Sequence, residues 1–216
     1  MPEISYRAGP PAASAYRWSS PRPPPYDLLV LHPRYPIRTA RLTLRPFVAE
    51  DFDDLYAYHH LPEVARYLYW EPRDKAETAE ALARRIGQDA LVEERTSLVM
   101  AMEWRELGRV VGEVNLYWTS REHRQGEFGF VVNPEFQRRG FAAEAAVANL
   151  RLGFQELGLH RIAGRCDVRN AASAGLMERI GLRREAHLVQ NEFFKGEWGD
   201  EYVYAMLADE FQARYT

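Results

Sequence analysis

Gln137-Arg138-Arg139-Gly140-Phe141-Ala142 separates an apolar, strand-like run from an alanine-rich, helix-forming one. Three features of this stretch suit an anion. The first amides of a helix have no partner within it, and the helix dipole is positive at that end. Gly140 carries no side chain, so a ligand can approach the backbone closely. Arg138 and Arg139 add charge-assisted donors. A phosphate uses all three features. The stretch is not a P-loop, because no Lys-Ser/Thr pair follows the glycine. There is also no GxGxxG run to suggest a nicotinamide or flavin dinucleotide.

Other chemistries fall away by count and by room. Ala171-Ala172-Ser173-Ala174-Gly175 has the outline of a nucleophile elbow, but that chemistry needs an acid and then a histidine downstream. Only His187 follows Ser173, 29 residues from the end, so a serine hydrolase does not fit. The single cysteine, Cys166, excludes intrachain disulfides and a cysteine-rich zinc site. It falls in mid-strand, where a thiol is usually buried and inert rather than a covalent relay. Six scattered histidines without an HExxH pattern give no reason to expect a catalytic metal. With 28 basic and 31 acidic residues the net charge is −3, so direct nucleic-acid binding is not expected. No apolar run approaches the ~20 residues of a membrane span. The short Leu28–Leu31 run is too brief for a signal-peptide core, which points to a cytoplasmic protein.

The elements around the loop follow from periodicity and punctuation. Nine of the 13 prolines lie in residues 1–36, so 1–37 reads as an extended arm with Tyr16, Trp18, Tyr26 and Tyr35 as aromatic anchors. Residues 41–47 alternate like a strand; 50–60 and 74–94 read as helices. Residues 97–104 and 109–118 form a hairpin, and 126–132 a strand stopped at Asn133-Pro134. Ala143, Val147, Leu150, Phe154 and Leu157 recur as one helical stripe, ended by Gly158. Residues 160–168 form a strand parallel to 126–132, joined to it by the helix as a right-handed crossover. Asn170 caps a short helix stopped by Gly181. Residues 184–194, a turn at 195–200 and 201–207 make a closing hairpin. The order β-α-α-β-β-β-α-β-α-β-β predicts one mixed α/β domain, 38–210, around a largely antiparallel sheet, with a tail at 211–216.

In this order, "TARLTLRPF", "GEFGFVVNPEFQRRGFAAEA", "LGLHRIAGRCDVRNAAS", "ERIGL" and "GEWGDEYVYAML" resemble the GNAT superfamily of acetyl-CoA-dependent N-acetyltransferases. They look most like its RimJ/RimL-like branch, which acetylates N-terminal amines of ribosomal proteins. The resemblance covers roughly residues 38 to 208. It implies the acyl-CoA N-acyltransferase fold, with a mostly antiparallel seven-stranded sheet that contains a splayed parallel pair. It also implies that Gln137, Arg138, Arg139, Gly140, Phe141 and Ala142 hold the coenzyme pyrophosphate. Pantetheine would lie along the backbone of Phe130 and Val132, with the Phe130 amide as oxyanion donor. Asn170 would act both as helix cap and as a contact to pantetheine.

The catalytic roles are likewise implied by the resemblance. Ser173 matches a residue proposed to anchor and protonate the departing thiolate in RimL-like enzymes. The tyrosine that many family members carry for that job is Met177 here, which cannot donate a proton. Glu192, 19 residues after Ser173, matches the branch's general base. Glu113, Glu127 and Glu144 are rival carboxylates. An α-amine of pKa ~8 is neutral in roughly one molecule in ten at pH 7, so one modest base suffices. The implied reaction is direct transfer from acetyl-CoA to a primary amine. The favoured acceptor is a protein N-terminus, followed by a small-molecule or antibiotic amine. The rival from another class is a non-catalytic acyl-CoA-binding module. A homodimer is the family expectation.

Overall fold

The structure, a computed structural model, describes residues 30–216. The chain enters the fold at Leu31, which is buried and exchanges backbone hydrogen bonds of 2.8 and 2.9 Å with Leu91. Tyr35 donates its hydroxyl to the Asp89 carbonyl at 2.9 Å. The other anchors named above, Tyr16, Trp18 and Tyr26, lie outside the described residues.

Two short strands follow, β1 (Ile37–Arg38) and β2 (Leu42–Arg45). A 3-10 turn at Ala49–Asp51 leads into α1 (Phe52–His59), then α2 (Pro62–Ala65) and α3 (Lys75–Ile86). Asp74 and Glu77 cap α3 reciprocally, each side chain accepting the other's amide at 2.9 Å. The helix expected over 74–94 stops early. Gly87 caps it, and Leu91 is drawn off to pair with Leu31, a partner no local pattern could supply.

Strands β3 (Ser97–Trp104), β4 (Arg109–Ser120) and β5 (Gln125–Val132) form a meander. Helix α4 (Phe141–Arg151) continues as a π turn over Leu152–Glu156. That wider turn rotates the buried face. Ala145, Ala146, Asn149 and Leu150 are buried, whereas Ala143 and Val147 of the expected stripe are only partly covered. Then come β6 (Arg161–Asp167), α5 (Ala171–Arg179), β7 (Arg183–Phe194) and β8 (Glu197–Leu207). The last turn is tighter than the six residues expected. Lys195 and Gly196 make it alone, both at positive φ (49° and 87°), the geometry of a two-residue hairpin. Residues read as a C-terminal tail belong to α6 (Ala208–Tyr215), whose buried Phe211 packs on Phe154 at 5.2 Å between ring centres.

Among the described residues, eight strands form one sheet in the order β1-β2-β3-β4-β5-β6-β8-β7. The mixed α/β architecture is the expected one, with eight strands in place of seven. The extra strand is the two-residue β1, too short to show an alternation in sequence. Only β5 and β6 run parallel. One face of the sheet packs Leu98, Met100, Val114, Leu116 and Phe128 into the main core with α4 and α6. The other face packs Val99, Ala101 and Val110 against Leu55, Tyr58 and Leu82 of α1 and α3. No helix among the described residues is long and apolar enough to cross a membrane.

The parallel pair positions the site. It has register partners at only three positions, Gln125↔Arg161, Gly126↔Ile162 and Glu127↔Ala163. Beyond them β5 stays paired to β4 as far as Val132 and leaves β6, so a gap opens within the sheet.

Candidate active site

The loop before α4 is built by two left-handed residues. Asn133 accepts from the Glu135 amide at 3.1 Å and starts a 3-10 turn at Pro134–Phe136. Arg138 (φ 61°) and Gly140 (φ 82°) then swing the chain into the helix. The first intrahelical bond runs from Glu144 N to Gly140 O at 3.1 Å. The amides of Phe141, Ala142 and Ala143 therefore have no carbonyl behind them. Arg41 braces the loop from the rear, donating to the Arg139 carbonyl at 2.7 Å and to Glu144 at 2.9 Å. Glu144 also accepts from the Arg41 amide at 2.6 Å and from the Thr39 hydroxyl at 2.5 Å.

This loop closes one end of a cleft of about 700 Å³ that follows the splay between β5 and β6 to the start of α5. Phe130, Val132, Gln137, Arg138, Gly140, Phe141, Ala142, Asn170 and Ser173 all line it. Asn133 N bonds Val111 O on the β4 side at 3.0 Å, so strand alternation turns the peptide groups of Val132 and Phe130 toward the gap. Gln137 uses its side chain differently from expectation: Nε2 donates to Val132 O at 3.1 Å and ties the loop to the strand. Arg139 faces elsewhere. Its guanidinium lies over Trp104 and Phe136, 5.3 and 5.8 Å from the ring centres, and the aromatic faces hold it away from the cleft.

At α5, Asn170 Oδ1 accepts from the Ser173 amide at 3.1 Å, so the cap is real, and the same residue reaches the cleft. Met177 is buried: a methyl group added at Gly164 would meet its sulfur at 2.7 Å. Glu192 lies outside this cleft, in an adjoining pocket of about 170 Å³. Tyr67, Leu68, Arg165, Cys166 and Asp167 line both cavities and form the threshold between them. Burial pushes the Cys166 thiol up to about 11, so it stays protonated at neutral pH and is a poor nucleophile.

A family model described as an acetyltransferase (GNAT) domain matches residues 41–183, more than half of the chain. The chain belongs to the GNAT acetyltransferase family. It is 33% identical over 181 residues to an uncharacterised N-acetyltransferase, YnaD, of Bacillus subtilis, covering 81% of this chain and 98% of that protein. A GNAT-family acetyltransferase from Bacillus anthracis superposes with a TM-score of 0.72 at 30% identity, over 80% of this chain and 98% of the other. A spermidine N-acetyltransferase from Vibrio cholerae, solved in complex with CoA and spermine, gives a TM-score of 0.68 at 25% identity, over 80% and 99% of the two chains. As a GNAT member the chain is an acyltransferase whose acetyl donor is acetyl-CoA.

Within this GNAT fold the rival carboxylates sort themselves by partner. Glu144 is consumed by Arg41 and Thr39. Glu113 is buried, and Arg85 grips both of its oxygens at 2.5 and 2.6 Å. Burial alone would raise the Glu113 carboxyl. The Arg85 guanidinium, with His59 beside it, overcomes that and holds it well below the usual carboxylate range. A carboxylate so stabilised accepts protons poorly. Glu127 shares the small pocket with Glu192, and burial raises its pKa against the opposing pull of Arg165, 3.2 Å away.

The pocket also contains residues that sequence reasoning did not single out. Tyr69 donates to Glu192 Oε2 at 2.6 Å, and Trp70 lines the larger cleft. Asn115 reaches the same cleft from β4. For Tyr69 and Trp70 the signal was an aromatic cluster, "YLYW" at 67–70, in a segment too short to read as helix or strand. Asn115 is an uncharged polar residue in a largely apolar strand, and it gave no signal of its own.

Proposed function

We propose that this GNAT acetyltransferase moves acetyl from acetyl-CoA directly to a cationic primary amine seated in the 170 Å³ pocket, with Glu192 taking the proton. One observation carries the acceptor class. Glu127, Asp167, Glu192, Asp200 and Glu201 line that pocket; Arg165, with Arg169 behind Asp167, balances only part of this charge. Such a field favours an ammonium, and more so one with a second positive charge nearby. The spermine in the Vibrio cholerae relative is an amine of that kind.

The larger cleft suits the coenzyme on three counts. It has helix-start amides free at Phe141–Ala143, a glycine at the helix start that adds no side chain, and a strand edge left open at Phe130 and at the Val132 amide. When bound, acetyl-CoA supplies the activated acyl group and a thiol leaving group. Arg138 and the loop amides hold the pyrophosphate, while the Phe130 amide faces the acyl oxygen. Asn170 contacts the pantetheine arm. The Ser173 hydroxyl donates to the departing sulfur. Glu192, kept by Tyr69 at the edge of the acceptor pocket, accepts the ammonium proton directly or through water.

A second reading follows the RimJ/RimL-like resemblance: an N-terminal α-amine of a protein, with the chain leading away past the rim. It is favoured by Tyr69, which is 77% exposed at the pocket's edge and leaves that side uncovered. We take the working unit as a cytoplasmic dimer on family grounds, which sedimentation of the full chain tests.

The deciding experiment pairs calorimetry of acetyl-CoA binding with thiol release over spermidine, a free-N-terminus tetrapeptide and benzylamine, at low and high salt. Turnover highest on spermidine and suppressed by salt supports the acidic-pocket reading. Turnover confined to the peptide supports the N-terminal one. Heat of binding with no thiol released from any amine reduces the protein to an acyl-CoA-binding module.

A further inference from the structure

Asn115 stands opposite Gly129 in the β4–β5 register, at the point where β5 has just left β6. Alternation puts it on the same face of the sheet as Glu113 and Tyr117 of β4 and Glu127 and Val131 of β5. Its carboxamide lies over the bare backbone of Gly129: a methyl group added there would meet Asn115 Oδ1 at 2.6 Å. Both residues line the larger cleft. Asn149 Nδ2, on α4, donates to the Asn115 backbone carbonyl at 2.9 Å and anchors β4 at this residue. The side-chain amide makes no hydrogen bond among the described residues, and Asn115 is only partly buried, so the amide is open to the cleft. An amide that only water satisfies is free to bond a ligand group that displaces that water.

The placement says which ligand group that is. One residue further along β5 is Phe130, whose peptide group faces the gap, and two residues back is Glu127 of the acidic pocket. The carboxamide therefore sits in the larger cleft, opposite a strand residue two positions from Glu127 of the acidic pocket, where an acceptor nitrogen must enter to meet the thioester. An ammonium or amine nitrogen offers only N–H donors, which Oδ1 can accept without holding the proton as a carboxylate would. We propose that the Asn115 carboxamide, kept in place by the absence of a side chain at Gly129, is the contact that orients the acceptor nitrogen. This rests on the acceptor reading above.

The test measures thiol release from acetyl-CoA with spermidine as acceptor, alongside calorimetry of acetyl-CoA binding, for wild type, Asn115→Ala, Asn115→Asp and Gly129→Ala. Asn115→Ala should raise the spermidine KM about tenfold, the size expected for one hydrogen bond to a charged group, and leave the acetyl-CoA Kd at its wild-type value. Gly129→Ala leaves Asn115 in the chain but displaces its carboxamide, and should reproduce the same KM defect. Asn115→Asp should split the parameters: a lower spermidine KM because a charge now meets the ammonium, with a lower kcat because that charge keeps it protonated. A purely packing role would not produce that split. An unchanged spermidine KM in Asn115→Ala overturns the inference while the acceptor reading stands. So does an acetyl-CoA Kd that moves by the same factor as KM, since the amide would then serve the coenzyme. A wild-type enzyme silent on spermidine overturns both.

Discussion

Tyr69 Oη and Glu192 Oε2 meet at 2.6 Å across 123 residues of sequence, joining the loop after α2 to the β7–β8 hairpin at the edge of the smaller pocket. Two further contacts make the juncture firm. Tyr69 packs edge-on against Phe194 at 5.5 Å, and Lys195 Nζ donates to the Ala65 and Trp70 carbonyls at 2.9 Å each. Partial desolvation of its hydroxyl end, although the ring is largely exposed, and then the hydrogen bond to Glu192 hold the Tyr69 phenol above its usual range, so it remains a donor at any assay pH. Tyr69→Phe should therefore lower kcat/KM on the acceptor by about three- to tenfold, a modest loss because the pair is partly solvated. Acetyl-CoA affinity, read by calorimetry, should not move.

Removing the carboxylate itself separates base from bystander. Glu192→Gln should cut kcat at pH 7 by about a hundredfold or more and by less at pH 9, where a larger share of the acceptor amine is already neutral. Glu127→Gln, in the same pocket but bonded to Arg165, should act mainly on acceptor KM. Full activity of Glu192→Gln at pH 7, with loss in Glu127→Gln instead, would transfer the role to Glu127.

Gly140 is a sterically and electrostatically guarded position. It is left-handed at φ 82°, and a methyl group there would sit 3.3 Å from Arg41 Nη2. Gly140→Asp places an anion among the amides that would receive the pyrophosphate, and calorimetry should show no acetyl-CoA binding. Glu144→Gln should loosen the Arg41 brace and weaken binding by a smaller factor, about tenfold.

The cluster behind Trp70 makes stability depend on pH. His59 is fully buried, and that burial lowers its pKa against the pull of Glu113, so the folded state keeps it neutral. The unfolded chain binds a proton below its ordinary value of ~6.5 and the folded chain does not, so stability falls as pH drops through that point. Glu113 is depressed in the fold. Its contribution is complete above the ordinary carboxylate range and is lost as pH falls further, toward its folded value. The melting temperature should thus decline from pH 7 to 5.5 and fall again below pH 4.5, roughly the onsets those two groups set. His59→Gln should flatten the first decline. Glu113→Gln leaves Arg85 buried without its partner and should cost about 3 kcal/mol at neutral pH.

Much of the fold was legible because its signals are local. Asp74 and Glu77 cap a helix three residues apart, Asn170 caps another at Ser173, and the alternation of β4 and β5 is written in consecutive residues. The loop Gln137–Ala142 could be read as an anion site for the same reason, since a strand, a glycine and a helix start suffice. The misread segments depend on distant partners. The helix expected to reach residue 94 ends because Leu91 pairs with Leu31, and the supposed tail is a helix because Phe211 finds Phe154.

The four glutamates mark where the sequence runs out. By residue type alone Glu113, Glu127, Glu144 and Glu192 are interchangeable, and any of them could have been the base. Their environments come from elsewhere in the chain: Arg85 for Glu113, Arg41 for Glu144, Arg165 for Glu127 and Tyr69 for Glu192. Arg138 and Arg139 part in the same way, one lining the cleft and the other laid on Trp104 and Phe136. Backbone conformation and helix ends answer to neighbours within a few residues, so the linear order determined most of the elements and the strand–glycine–helix geometry of the loop before α4. Charge state and reach answer to whatever lies within a few ångströms in space, and that the tertiary structure alone decided.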